Sequence, residues 1–137
     1  MPKSLYRGMY LTPSAWVSVM KNGMKLSEVT WVAGGGGISF SSSIREASSY
    51  LFQSGSGEGL GVVFEVDAAP DFERLTNPTL NPTNTIYKLQ KDLEPGRIRR
   101  VYLWGRWGLE SLEEVIEKST AGPFPAHKEW TSVFESY

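Results

Sequence analysis

An α+β fold in one domain is what this sequence predicts, on three observations. Runs patterned as β-strands occur at Ser4–Tyr10, Val62–Val66 and Ile98–Trp104. Short helical patterns between and after them open on capping residues at Thr12, Ser43 and Ser111. The length of 137 residues gives room for one ordinary domain, and 40% hydrophobic with 12% aromatic residues is enough to bury a core.

The elements follow in order. Ser4 to Tyr10 alternates loosely and is rich in aromatics, so it reads as a strand that places Arg7 on one definite face. Thr12-Pro13 opens a helix carrying Trp16, Val19 and Met20, which stops at Asn22-Gly23. An apolar entry at Trp31 runs into Gly34–Gly37 and leaves as a short strand in which Ser39 and Ser41 share a face opposite Ile38 and Phe40. Those glycines lack the lysine and the spacing of a phosphate-cradling P-loop. Ser43-Ile44-Arg45-Glu46 has capping-box spacing and opens a helix with Ala47, Tyr50 and Leu51 on its apolar positions. Gln53 to Gly61 is a Gly/Ser-rich loop, and Val62 to Val66 a buried strand. Between Ala68 and Thr85, three prolines and several asparagines predict an irregular connection. Ile86–Leu89 and Ile98–Trp104 are strands on either side of a Glu94-Pro95-Gly96 turn, and Ser111 opens a short amphipathic helix with Leu112, Val115 and Ile116 as its apolar residues.

Composition removes several function classes. Without cysteine there is no thiolate catalysis, no thiolate-bound zinc and no disulfide, and the single histidine, His127, leaves little scope for an imidazole metal cage. A net charge of −1 provides no long-range attraction to nucleic acid or to an anionic membrane, so contact with nucleic acid would have to be local. No apolar stretch has the length of a signal peptide or a membrane span, which predicts a cytosolic protein of the producing or the host cell.

Strand-borne Arg7, a helix, the Ser39-Phe40-Ser41 strand, a capped helix and the Val62–Val66 strand come in an order that resembles the ADP-ribosyltransferases of the Arg-Ser-Glu class. Leu5-Tyr6-Arg7-Gly8 is similar to that family's Tyr-Arg-Gly strand, and Ser39-Phe40-Ser41 to its Ser-(Thr/Phe)-Ser strand; the likeness runs from about Leu5 to Tyr102. The resemblance implies two packed, mainly antiparallel β-sheets with flanking helices. It also implies NAD as a substrate with no metal, and a macromolecular acceptor, protein in the first place. Arg7, with Gly8 beside it, would grip the diphosphate by two parallel bonds. Ser39 and Ser41 would order the nicotinamide ribose, and Phe40 or Tyr50 would offer a face to the nicotinamide ring. A chain of this size without a delivery module would suit a phage or bacterial effector.

The family's third signature, a Glu or a Gln/Glu-x-Glu pair opening a strand before a Pro-Gly-like turn, has no direct counterpart. Gln90-Lys91-Asp92 offers an amide and a carboxylate at a spacing of two and makes Gln90 and Asp92 the catalytic candidates. Alignment on Ile98-Arg99-Arg100-Val101 instead puts the acid position near Asn84–Tyr87, where there is none. A rival reading is therefore a non-catalytic module that holds an NAD or ADP-ribose-type nucleotide or inhibits a protein partner. A third is an interaction protein using Arg97, Arg99, Arg100 and Arg106 with Trp104 and Trp107 to dock an acidic partner or a nucleic acid.

Overall fold

The computed structural model describes residues 2–28, 36–51, 59–105 and 110–135. The expected features at Trp31, Gly34 and Gly35, most of the Gln53–Gly61 loop, Arg106 and Trp107 lie outside these residues. Strand β1 spans Ser4–Leu11, with Leu5 and Leu11 buried. Helix α1, Pro13–Asn22, starts where Thr12 accepts a hydrogen bond from the Ala15 N–H and proline takes the first turn, and it buries Trp16, Val19 and Met20. Gly23, at φ 77°, ends it by donating to the Val19 carbonyl, and a Cβ there would lie 1.9 Å from the carbonyl oxygen of Leu93.

Strand β2 is Ile38–Ser41 and helix α2 is Ile44–Ser48, opened by Ser43, whose hydroxyl accepts from the Glu46 N–H. Strand β3 runs Leu60–Asp67, longer at both ends than the apolar run alone suggests. The Ala68–Thr85 connection is not wholly irregular: β4, Phe72–Arg74, pairs with β5, Ile86–Leu89. A 3-10 turn at Pro95–Arg97 replaces the simple turn and leads into β6, Ile98–Leu103. Helix α3, Leu112–Glu117, is capped by Ser111. Two elements carry no signal in the sequence pattern: β7, Thr120–Ala121, and α4, Thr131–Glu135.

Antiparallel pairing throughout gives the α+β class expected. The two expected sheets are, however, joined into one seven-stranded sheet of order β4-β5-β2-β1-β3-β6-β7. The join is narrow. β1 and β3 pair along all eight residues from Ser4↔Asp67 to Leu11↔Leu60, whereas β1 and β2 pair only at Tyr6↔Ser41. The sheet is therefore two halves hinged on one residue pair, with a shared core. Ile38, Phe40, Phe72 and Leu89 of one half pack in the same cluster as Leu5, Val62, Phe64 and Val66 of the other. A second, smaller cluster of Ala47, Leu51, Val63, Tyr102, Trp104 and Val115 fixes α2 and α3 on the opposite face.

Candidate functional site

The break in pairing between β1 and β2 creates the site. Continued past Tyr6↔Ser41, an antiparallel ladder would bring Arg7 opposite Phe40 and Gly8 opposite Ser39; neither pair forms. Arg7 spans the gap with its side chain instead, its Nη1 donating to the Ser39 carbonyl at 3.0 Å. A cavity of about 420 Å³ opens there, and Arg7, Gly8, Ser39, Phe40, Ser41 and Tyr50 all line it, together with Tyr6, Glu46, Ala47 and Ile86. Its volume falls in the range of about 300–1,000 Å³ typical of small-molecule sites.

Two polar atoms in its wall are unsatisfied. The Arg7 Nε and the Ser39 Oγ are both shielded from solvent and have no hydrogen-bond partner. Such groups are costly to bury alone, so an unpartnered donor beside a cavity is a candidate contact for a ligand acceptor. Burial pulls the Arg7 guanidinium below its ordinary pKa while leaving it charged. A second cation stands close by. Lys88 of β5, opposite Ser39 in register and almost fully buried, has its ammonium lowered first by desolvation and then by the charge of Arg7.

The other residues differ in what they contribute. Ser41 uses its hydroxyl to accept from the Ser43 N–H at 3.0 Å, so its acceptor capacity serves the turn into α2. Phe40 is not an aromatic platform: its ring packs edge-on against Phe72 at 5.2 Å and belongs to the core. Tyr50 lines the cavity and is half exposed. Gly8 is needed for packing, since a Cβ there would meet the Ala47 carbonyl oxygen at 2.0 Å as α2 crosses β1.

Gln90 and Asp92, the catalytic candidates, do not line this cavity. β5 ends at Leu89, so the two residues do not continue its alternation. Gln90 Nε2 donates to the Gly36 carbonyl at 3.3 Å. Asp92 Oδ1 accepts from the Leu26 N–H at 2.8 Å, its other oxygen lies 3.7 Å from the Lys25 ammonium, and it lines a separate, open depression with Asp71, Lys91, Glu94 and Arg97. Its carboxylate is committed to the backbone around Leu26. The expected arginine patch is also internally committed, with Arg97 on Asp71, Arg99 on Asp67 and Arg100 on Ser119.

Glu46 is the cavity residue that sequence reasoning missed, because capping-box spacing accounted for it fully. Only half of that box forms. Ser43 accepts from the Glu46 N–H, but the Ser43 N–H is taken by Ser41, and the Glu46 side chain turns instead toward the run into β5. There the Thr85 hydroxyl lies 2.6 Å and the Thr83 hydroxyl 3.2 Å from its Oε2. Buried Asn81 shapes that run, its Oδ1 accepting from the Thr85 and Ile86 N–H groups and its Nδ2 donating to the Leu75 carbonyl. This is the Asn84–Tyr87 region in which the sequence itself holds no acid.

The described residues thus form an α+β protein, one seven-stranded antiparallel sheet with flanking helices. Among solved structures, EcPltA is similar, with a TM-score of 0.53 at 12% identity over 89% of this chain and 83% of that chain. A likeness at that identity is one of fold alone. No family model matches the chain, and no curated protein matches it by sequence.

Proposed function

We propose that the chain binds NAD in the cavity between β1, β2 and α2 and transfers its ADP-ribose to a macromolecular acceptor, protein in the first place. The observation that carries this is the pair of shielded, unsatisfied groups, Arg7 Nε and Ser39 Oγ, in the wall of a 420 Å³ cavity. A guanidinium with Nη1 anchored on the Ser39 carbonyl and Nε unpartnered suits a diphosphate oxygen, with Lys88 adding positive potential nearby. The Ser39 hydroxyl suits a ribose or carboxamide oxygen, and Tyr50 suits the face of a flat heterocycle.

Titration calorimetry with NAD and with ADP-ribose, on wild type, Arg7→Ala and Arg7→Lys, tests the assignment. Arg7→Ala should bind at least 10-fold more weakly, the scale of one charge-assisted hydrogen bond, with the fold intact. Arg7→Lys should not restore affinity, because a point charge lacks the guanidinium's fork. Unchanged affinity in Arg7→Ala, or no binding by wild type, refutes the reading. The distance of Gln90 and Asp92 from the cavity favours a second reading, a nucleotide-binding module without turnover. Release of labelled nicotinamide from NAD decides between the two.

A further inference from the structure

Cleavage of a nicotinamide glycoside moves positive charge, and a site that performs it needs a negative group where that charge arrives. Among the described residues lining the cavity, Glu46 is the one carboxylate. The neighbouring acid Glu65 does not line it, and its oxygens take hydrogen bonds from Ser4 and Tyr102.

Glu46 is held in a way that helix capping does not require. Its side chain leaves the Ser43 N–H to Ser41 and presents Oε2 to Thr85 at 2.6 Å and Thr83 at 3.2 Å. The two threonine hydroxyls also lie 2.6 Å from each other. With two protons for three contacts, Thr85, at the shorter distance, supplies the bond to Oε2. Both threonine contacts fall on the same oxygen. The carboxylate thus spans from α2 to the start of β5, and Glu46 lines the cavity together with Arg7.

We infer that Glu46 is the catalytic carboxylate of this site: it stabilises the ribose cation of the donor and orients the attacking acceptor. The inference rests on the nucleotide reading above. In the reaction the bond from ribose C1′ to the pyridinium nitrogen breaks, and its electron pair stays with nitrogen, so nicotinamide leaves neutral. The positive charge passes to C1′ and the ring oxygen of the ribose. A lone pair of the acceptor, water or a protein side chain, forms the new bond to C1′, and the acceptor's proton goes to solvent. A carboxylate fixed beside C1′ gains attraction as that charge develops, which lowers the barrier without tightening ground-state binding.

The test uses the full chain with NAD labelled in the nicotinamide ring and water as acceptor. Glu46→Gln keeps the size and the backbone cap; kcat for nicotinamide release should fall about 100-fold or more with KM and NAD affinity within about threefold of wild type. Thr85→Val leaves the carboxylate in place but removes its anchor, and should lower kcat less, again without loss of affinity. Equal melting temperatures would exclude unfolding as the cause. If Glu46→Gln releases nicotinamide at the wild-type rate, the inference is overturned while the nucleotide reading stands. Wild-type protein that binds NAD but releases no nicotinamide also overturns it. Wild-type protein that binds no NAD removes the nucleotide reading, and this inference with it.

Discussion

A methyl group at Gly8 would sit 2.0 Å from the carbonyl oxygen of Ala47 and 3.1 Å from Leu51 Cδ2. Backbone cannot yield there without lifting α2 from β1, and α2 carries Glu46 on its first turn. Gly8→Ala should therefore cost about 1–3 kcal/mol of stability, as overpacked sites do, and should weaken nucleotide binding together with it. Urea unfolding and NAD titration on the same variant check both. The motif that drew attention to Gly8 is thus explained by helix packing rather than by the ligand. Single residues also divide the serines. Ser39 has an unsatisfied hydroxyl in the cavity wall, while Ser41 has its acceptor occupied by the turn.

Between the elements, the connection from β3 to β5 shows how charge positions a short edge strand. Asp71 precedes β4 and takes two bonds from Arg97, at 2.7 and 3.0 Å, while Arg97 lies over the Phe72 ring at 5.0 Å and Lys91 reaches Asp71 at 3.0 Å. These contacts, the Arg97 hydrogen bond first, hold the Asp71 carboxyl at a pKa of about 2, below its ordinary 3.8. A carboxyl depressed in the folded state binds fewer protons there than when unfolded, so its contribution is fully present above 3.8 and is lost as pH falls through about 2. Arg97→Gln should lower the urea midpoint at neutral pH, and its difference from wild type should shrink between pH 4 and pH 2. A constant difference across that range would show that the ion pair is not its source. Since both side chains are partly exposed, the effect should also weaken in high salt.

At the scale of the whole molecule, the chain after β7 closes the core over α1. Trp16 donates its indole N–H to the Trp130 carbonyl at 2.9 Å, with the Trp130 ring edge-on at 6.0 Å and Phe134 at 6.0 Å. Trp130 is itself buried, and its own indole N–H reaches the Pro125 carbonyl at 3.1 Å. Trp130→Ala should cost about 3–5 kcal/mol through cavity formation and exposure of Trp16, read as a lower denaturant midpoint. Arg7 lines the cavity and Trp130 does not, so nucleotide affinity should persist in the folded fraction.

Local pattern determined much of this protein. Alternation in β1, the Thr12 and Ser43 caps, the Gly23 stop and the Ser39-Phe40-Ser41 strand are set by dihedral preference and neighbouring hydrogen bonds, and each is visible within a few residues. The gathering of Arg7 and Ser39 was legible because both sit in short motifs on strands. What the tertiary structure decided depends on partners distant in sequence. β4 has only three residues, and Phe72 becomes strand by pairing with Leu89; β7 likewise needs Arg100 and Val101. Gln90 and Asp92 share a face only if β5 continues, and it stops at Leu89, with Asp92 taking the Leu26 N–H. Glu46 reads as a helix cap until Thr85, 39 residues on, supplies the hydroxyl that holds its carboxylate. A carboxylate's direction is set by the donors around it, and those donors reach Glu46 only when β5 pairs with β2.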